Sequence, residues 1–146
     1  MNLISELKPE LTEIEVYLKY PSETREVRTI RSWLLGFDQG VVGRNDAGTR
    51  IIPVHSILYI EAVNRKVFIY TEHNIYETDK RLYEMAEILW GMTFIQASKQ
   101  IIVNLLKVSS IQPEIGSRLL LTLDNGERII ASRQYAPGIK RELGIS

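Results

Sequence analysis

The stretch Ile57-Leu58-Tyr59-Ile60-Glu61-Ala62-Val63-Asn64-Arg65-Lys66-Val67-Phe68-Ile69-Tyr70-Thr71 contains two apolar runs with only Asn64-Arg65 between them. Both runs are rich in β-branched and aromatic residues, which is typical of strands. A connection of two residues requires tight turn geometry. The stretch therefore predicts an antiparallel hairpin, and we expect a mainly β fold with α decoration (α+β).

The residues on the C-terminal side of this hairpin continue the pattern. Asp124-Asn125-Gly126 separates two apolar runs, and an Asn-Gly pair in that position is a strong hairpin signal. Apolar residues at helical spacing predict a helix over 80–90, ended by Gly91, and a second helical piece over 138–143. The remaining expected strands are Ile75–Thr78, Phe94–Ala97, Ile101–Val103, Lys107–Ile111, Arg118–Leu123 and Glu127–Ala131.

The N-terminal side has a different character. Polar and apolar residues alternate over Glu13–Tyr20, which predicts a half-exposed strand. Ser22 can cap a helix that runs through Ile30 to Leu35 and ends at Gly36. Glycines then surround a short strand at Val41-Val42. We expect residues 1–44 to form a strand-helix extension, and residues 45–146 to form the main domain.

Composition limits the class of protein. The chain has 146 residues, which suits one domain with a short extension, and it has no cysteine, so disulfides and thiolate sites are excluded. No apolar run is long enough to span a membrane, and we expect a soluble, cytoplasmic protein. The 18 basic and 18 acidic residues balance, so nucleic acid could be bound only through a local cluster of cations.

Motifs of catalysis are missing from the sequence. His55 and His73 are far apart along the chain and have no third ligand at metal-binding spacing. The sequence has no glycine-rich phosphate loop followed by Lys and Ser or Thr, and its acidic residues are scattered over faces expected to be exposed. We therefore expect no enzyme activity, no cofactor and no bound metal.

Polar and basic residues instead cluster where apolar strands end. On residue type alone, such clusters are most simply explained as solubilising loop residues, because Lys and Arg are usually exposed. The same residue types can bind DNA, since Arg presents a planar fork to guanine or phosphate and Asn or Gln can pair with adenine. The three clusters are Asn64-Arg65-Lys66, Ser98-Lys99-Gln100 and Ser132-Arg133-Gln134.

The order of these motifs along the chain resembles that of the LytTR DNA-binding domain. The resemblance extends over about residues 45–145 and includes Tyr76 and Leu82 between its larger motifs. The larger motifs are the two strands of the opening hairpin, Phe94-x-x-x-Ser98-Lys99-Gln100-x-x-Val103-Asn104, and Asn125-Gly126-Glu127-x-x-x-x-Ser132-Arg133.

The resemblance implies a β domain whose loops enter successive major grooves of DNA. Lys99 and Arg133 match the family pattern best, whereas Ser98 and Gln100 stand where the family commonly has His and Ser. Asn104 matches a family residue that we interpret as structural. The residues that the resemblance assigns to DNA contact are Asn64, Arg65, Lys66, Ser98, Lys99, Gln100, Ser132 and Arg133.

Residues 1–44 do not resemble a receiver domain, because they lack its repeated βαβ pattern. The chain is similar to stand-alone LytTR regulators, which are often encoded beside a small membrane protein that restrains them. Trp33, Leu34, Leu35 and Phe37 give the predicted helix an apolar end. The strand at Glu15–Lys19 and the helix around Ile30–Leu35 would serve dimerisation or docking of such an inhibitor. The alternative for the apolar end is simple packing onto the β domain.

We expect a sequence-specific, double-stranded DNA-binding transcription regulator that acts as a dimer on repeated half-sites. The alternative is a protein-interaction adaptor whose β domain binds a polypeptide and not DNA. The zero net charge favours the adaptor slightly.

Overall fold

A computed structural model describes residues 1–145 and confirms the mainly β architecture with a few helices. Within these residues, no helix combines the length and apolarity needed to cross a membrane. The helices are α1 (Arg25–Phe37), α2 (Leu82–Ile88) and α3 (Ala136–Glu142). The strands are β1 (Gly40–Asn45), β2 (Gly48–Pro53), β3 (Ile57–Val63), β4 (Lys66–Thr71), β5 (Ile75–Thr78), β6 (Phe94–Gln96), β7 (Ile101–Asn104), β8 (Val108–Glu114), β9 (Arg118–Leu123) and β10 (Arg128–Ala131).

The strands form two antiparallel sheets. The larger has seven strands in the order β2-β1-β5-β4-β3-β7-β6, and the smaller has three in the order β10-β9-β8. Val63 pairs with Lys66, which confirms the predicted two-residue hairpin between β3 and β4. The Asn125-Gly126 hairpin is also confirmed, since β9 and β10 pair antiparallel on either side of it.

The large sheet is packed on both faces. Successive residues of a strand point to opposite faces, and on β7 Ile102 belongs to one buried cluster while Val103 belongs to the other. The first cluster includes Met85 of α2 and Leu89, the residue directly after α2. The second cluster joins the large sheet to the three-stranded sheet and α3, with Leu121 and Ile139 fully buried between them.

Asn104 ties the start of β3 to the end of β7, which confirms its structural role. Its side-chain Nδ2 donates to the Ile57 carbonyl at 2.9 Å. Its Oδ1 accepts from the Thr93 hydroxyl at 2.9 Å and from the Leu106 backbone N–H at 3.1 Å. The Asn104 residue is 2% exposed, and its bond to Ile57 is fully buried.

Replacing Asn104 by Ala should lower the free energy of unfolding by about 2–4 kcal/mol, because it leaves buried backbone groups without partners. Urea unfolding followed by circular dichroism measures the change. Gln112→Ala, at an exposed position on β8, is the control and should shift stability by less than about 0.5 kcal/mol. A stability equal to that of the control would contradict the structural role of Asn104.

The strand expected over Glu13–Tyr20 is wrong, since residues 9–24 contain neither strand nor helix. A segment with alternating residue types forms a strand only where a neighbouring strand can pair with its backbone N–H and C=O groups. The helix α1 does form, but Thr24 caps it in place of Ser22: the Thr24 hydroxyl accepts from the Val27 N–H at 3.3 Å. Gly36 does not end α1 and lies buried inside it, against Val54.

The region after α1 is more regular than expected. The short strand predicted at Val41-Val42 is part of β1, which pairs with both β2 and β5. The sequence analysis did not predict β2, because Gly48-Thr49-Arg50 interrupts any apolar run. The division expected after residue 44 therefore falls inside a strand of the large sheet.

Candidate nucleic-acid interface

Two of the three polar clusters lie at the same end of the large sheet. The turn Asn64-Arg65 follows β3, and the loop of residues 97–100 joins β6 to β7. Because β7 is the antiparallel neighbour of β3, this loop lies next to the β3–β4 turn. The Ala62 N–H donates to the Gln100 carbonyl at 2.8 Å, which joins the end of β3 to the β6–β7 loop.

The third cluster is joined to the second. The Ser132 N–H donates to the Ala97 carbonyl at 2.9 Å, one residue before Ser98. The Ser132 carbonyl accepts from the Tyr135 and Ala136 N–H groups, so the same residue leads into α3. These backbone hydrogen bonds join three segments that are distant in sequence. We call their polar and basic residues the loop surface: Asn64, Arg65, Lys66, Ser98, Lys99, Gln100, Ser132 and Arg133.

The β3–β4 turn has an unusual backbone. Asn64 and Arg65 both have positive φ, 50° and 67°, as the two central residues of a type I′ hairpin turn require. Asn tolerates this conformation, whereas a residue with a long side chain adopts it at a cost in free energy. Arg65 is exposed at the tip of the turn, so the residue with the strained backbone is also a cation that faces solvent.

Replacing Arg65 by Gly should raise the free energy of unfolding by about 0.5–1 kcal/mol, because relief of the left-handed strain outweighs the added entropy of the unfolded chain. Urea unfolding measures the gain. Arg65→Lys keeps both the charge and the strain, and it should match the wild type. A loss of stability in Arg65→Gly would show that the turn is not strained.

The β6–β7 loop is held by its own polar groups. The Ser98 hydroxyl accepts from the Gln100 N–H at 3.2 Å, and the Gln96 side-chain amide donates to the Lys99 carbonyl at 3.5 Å. Ser98 thus supports the turn, while the Lys99 and Gln100 side chains are exposed.

The cations of the loop surface differ in whether an acidic side chain lies close to them. Among the described residues, Arg65, Lys99 and Arg133 are exposed and none has an acidic partner within 4.0 Å. Lys66 is directed towards β5, where its Nζ lies 4.0 Å from Glu77 Oε1. Three cations are therefore available to an anionic ligand without first breaking an ion pair.

Acidic and aromatic side chains occupy the sheet behind these loops. The rings of Tyr59 and Tyr70 stack at 4.1 Å between centroids, and the Tyr70 hydroxyl donates to Glu61 at 3.2 Å. Burial raises the pKa of Tyr59, and a hydrogen bond with Glu127 adds to the rise. Burial also raises the pKa of Tyr70, and the negative charge of Glu61 raises it further. Glu61 and Glu127 thus lie beside the tyrosine pair, whereas Arg65, Lys99 and Arg133 lie on connections.

This cluster was missed by reasoning from the sequence. The alternation within β3 places Tyr59 and Glu61 on one face. Their cross-strand partners follow only from the register, in which Tyr59 lies opposite Tyr70. Within residues 1–145, no group of three His, Cys, Asp or Glu side chains is arranged to hold a metal ion.

The fold and the loop surface together define a β-rich module that presents a small set of unpaired cations from three connections. Residues 47–144 match the family model described as the LytTr DNA-binding domain. The chain belongs to this family, which confirms the resemblance seen in the sequence. The family is defined by DNA binding and not by catalysis.

Known proteins resemble the chain over different lengths. A LytTr DNA-binding domain from Bacillus cereus has 29% identity and a TM-score of 0.70, covering 74% of this chain and 99% of that domain. Sensory transduction protein LytT of Enterococcus faecalis is 26% identical over 96 residues, and the match spans only 40% of its length. An uncharacterized HTH-type transcriptional regulator of Staphylococcus aureus is 26% identical over 136 residues, 92% of each chain.

Proposed function

We propose that this protein is a sequence-specific regulator of transcription that binds double-stranded DNA through the loop surface and acts in the cytoplasm. The observation that carries the proposal is the pair of backbone hydrogen bonds, Ala62 to Gln100 and Ser132 to Ala97, that joins three polar clusters at one place. Membership of a DNA-binding family and likeness to a transcriptional regulator of similar length support it.

Within this surface, Lys99 and Arg133 are the proposed base-contacting residues. Arg133 offers a planar fork that can donate two hydrogen bonds to guanine O6 and N7. Lys99 is a flexible charge for a base edge or a phosphate. Both side chains are exposed, and both are carried by connections whose backbones are fixed by hydrogen bonds. A fixed backbone limits the entropy lost when these side chains engage DNA.

The other residues of the loop surface have supporting roles in the proposal. Asn64, Arg65 and Gln100 are exposed and can contact phosphates or bases beside the two main residues. Ser98 and Ser132 hold their loops in place. Lys66 would contribute least, because the Glu77 carboxylate lies close to its ammonium group.

The proposed regulator acts as a dimer on repeated half-sites. Helix α1 supports a role in association, since it leaves large apolar side chains in water, with Trp33 56% and Phe37 62% exposed. Exposed apolar patches of this kind mark surfaces that bind other proteins. The partner would be a second copy or a small membrane protein that restrains the regulator, as in the stand-alone regulators that the chain resembles.

Replacing Arg133 by Ala should weaken binding to the cognate site by about 1–3 kcal/mol and relax the preference at one base pair. The cognate site is first obtained by selection from random duplexes with the purified chain, and fluorescence anisotropy then measures affinity. Arg50→Ala is the matched control, because it removes an exposed cation from β2, at the opposite edge of the sheet from β6. It should leave affinity and preference unchanged.

Salt dependence tests the same contacts independently. The logarithm of the binding constant should fall with the logarithm of salt concentration, by about 0.9 for each neutralised phosphate. An Arg133→Ala variant with unaltered affinity and base preference would refute the role of that residue. If the random duplexes yield no bound sequence at all, the adaptor that binds a polypeptide becomes the better account.

A further inference from the structure

Residues 13–18 have the sequence of a strand but no strand to pair with. Glu13 and Glu15 alternate with Ile14, Val16 and Leu18 in this segment. Ile14 is 89% exposed and Val16 62% exposed, whereas Leu18 is partly buried. Such a segment gains free energy by adding to the edge of a sheet, where its backbone and its apolar side chains are both satisfied.

The large sheet has an edge strand that lies beside a groove with apolar walls. β6 is the last strand in its order, and it borders an open groove of about 520 Å³ between α1 and the C-terminal end of α3. Phe94, Ile95, Leu105 and Leu106 contribute apolar surface to the groove. The groove is thus suited to an extended segment with an apolar face.

The groove is lined by three arginines of α1 and by one carboxylate, that of Glu142 at the end of α3. Arg25 and Arg28 line it from α1, and neither has an acidic partner within 4.0 Å among the described residues. Arg31, in contrast, is already bound to Glu23 at 2.8 Å. The acidic side of the segment, Glu13 and Glu15, supplies the two carboxylates that Arg25 and Arg28 lack.

The segment does not occupy the groove of its own chain. Its side chains from Glu13 to Tyr17 are all exposed, which shows that they lie away from the groove. At its end, the Tyr20 hydroxyl accepts a hydrogen bond from Arg31 at 2.9 Å, and the Arg31 guanidinium lies 5.6 Å from the centre of the Tyr20 ring. These contacts hold the segment to α1 and leave residues 13–17 free to reach another molecule.

We propose that two copies of the chain exchange residues 13–18, each segment adding as a strand beside β6 of the other copy. Ile14, Val16 and Leu18 then enter the apolar groove. Glu13 and Glu15 face Arg25 and Arg28 of the second copy. The inference rests on the dimer proposed above and specifies how its two copies are joined.

A reciprocal charge exchange tests this arrangement. One variant carries Glu13→Arg and Glu15→Arg, and the other carries Arg25→Glu and Arg28→Glu. Each variant alone brings like charges together in both grooves, whereas a mixed pair restores opposite charges in both. Multi-angle light scattering at several concentrations measures the mass, 16.8 kDa for one copy. Circular dichroism checks that each variant is folded, and all altered side chains are exposed.

We expect a dimer for the wild type, monomers for each variant alone, and a dimer for the equimolar mixture. A monomeric mixture overturns the proposal, and in that case the segment docks within its own chain or not at all. A monomeric wild type, or a variant that still forms a dimer alone, also overturns it. Retained binding of the wild type to its selected DNA site would then show that the DNA-binding function stands without this exchange.

Discussion

The antiparallel pairing of β3 with β4 on one side and β7 on the other is the constraint on which this structure depends. It places the Asn64-Arg65 turn and the β6–β7 loop at one end of the sheet. Asn104 fixes the opposite end of the same strands by binding the Ile57 carbonyl. A shift of one residue in either register would send every side chain of the strand to the other face. The position of the loop surface is thus a consequence of core packing.

This arrangement reconciles a net charge of zero with the proposed DNA-binding surface. The charge that matters is local, because interactions between exposed charges are largely screened beyond about 8–10 Å at physiological salt. Arg65, Lys99 and Arg133 project from connections, while Glu61 and Glu127 lie with the tyrosines behind them. A neutral chain can therefore present a cationic face, provided that the fold brings its few unpaired cations together.

The sequence predicted most of this fold, because its strongest signals are local. The turn at Asn64-Arg65 and the Asn125-Gly126 hairpin each depend on a few adjacent residues, and both are confirmed. The strand over Glu13–Tyr20 was wrong because pairing depends on a neighbour that alternation does not reveal. Ser22 and Thr24 are both good capping residues, and only the geometry of the chain selects Thr24.

The candidate site was predictable to a similar extent. The three polar clusters were visible as residue types at strand ends, and the family pattern selected them from other exposed residues. Their proximity was not visible, since the bonds from Ala62 to Gln100 and from Ser132 to Ala97 join segments about 35–40 residues apart. The roles of Ser98 and Lys66 were also hidden, because a hydrogen bond or an ion pair that occupies a side chain appears only in three dimensions.

The most direct test of the central claim is a titration of the isotopically labelled chain with its selected DNA duplex, followed by backbone amide NMR. If three connections form one DNA-binding surface, the shifts of residues 64–66, 98–100 and 132–133 will change together and saturate at the same DNA concentration. Changes concentrated at the β8–β9 turn around Ile115, or at only one of the three connections, would contradict the account.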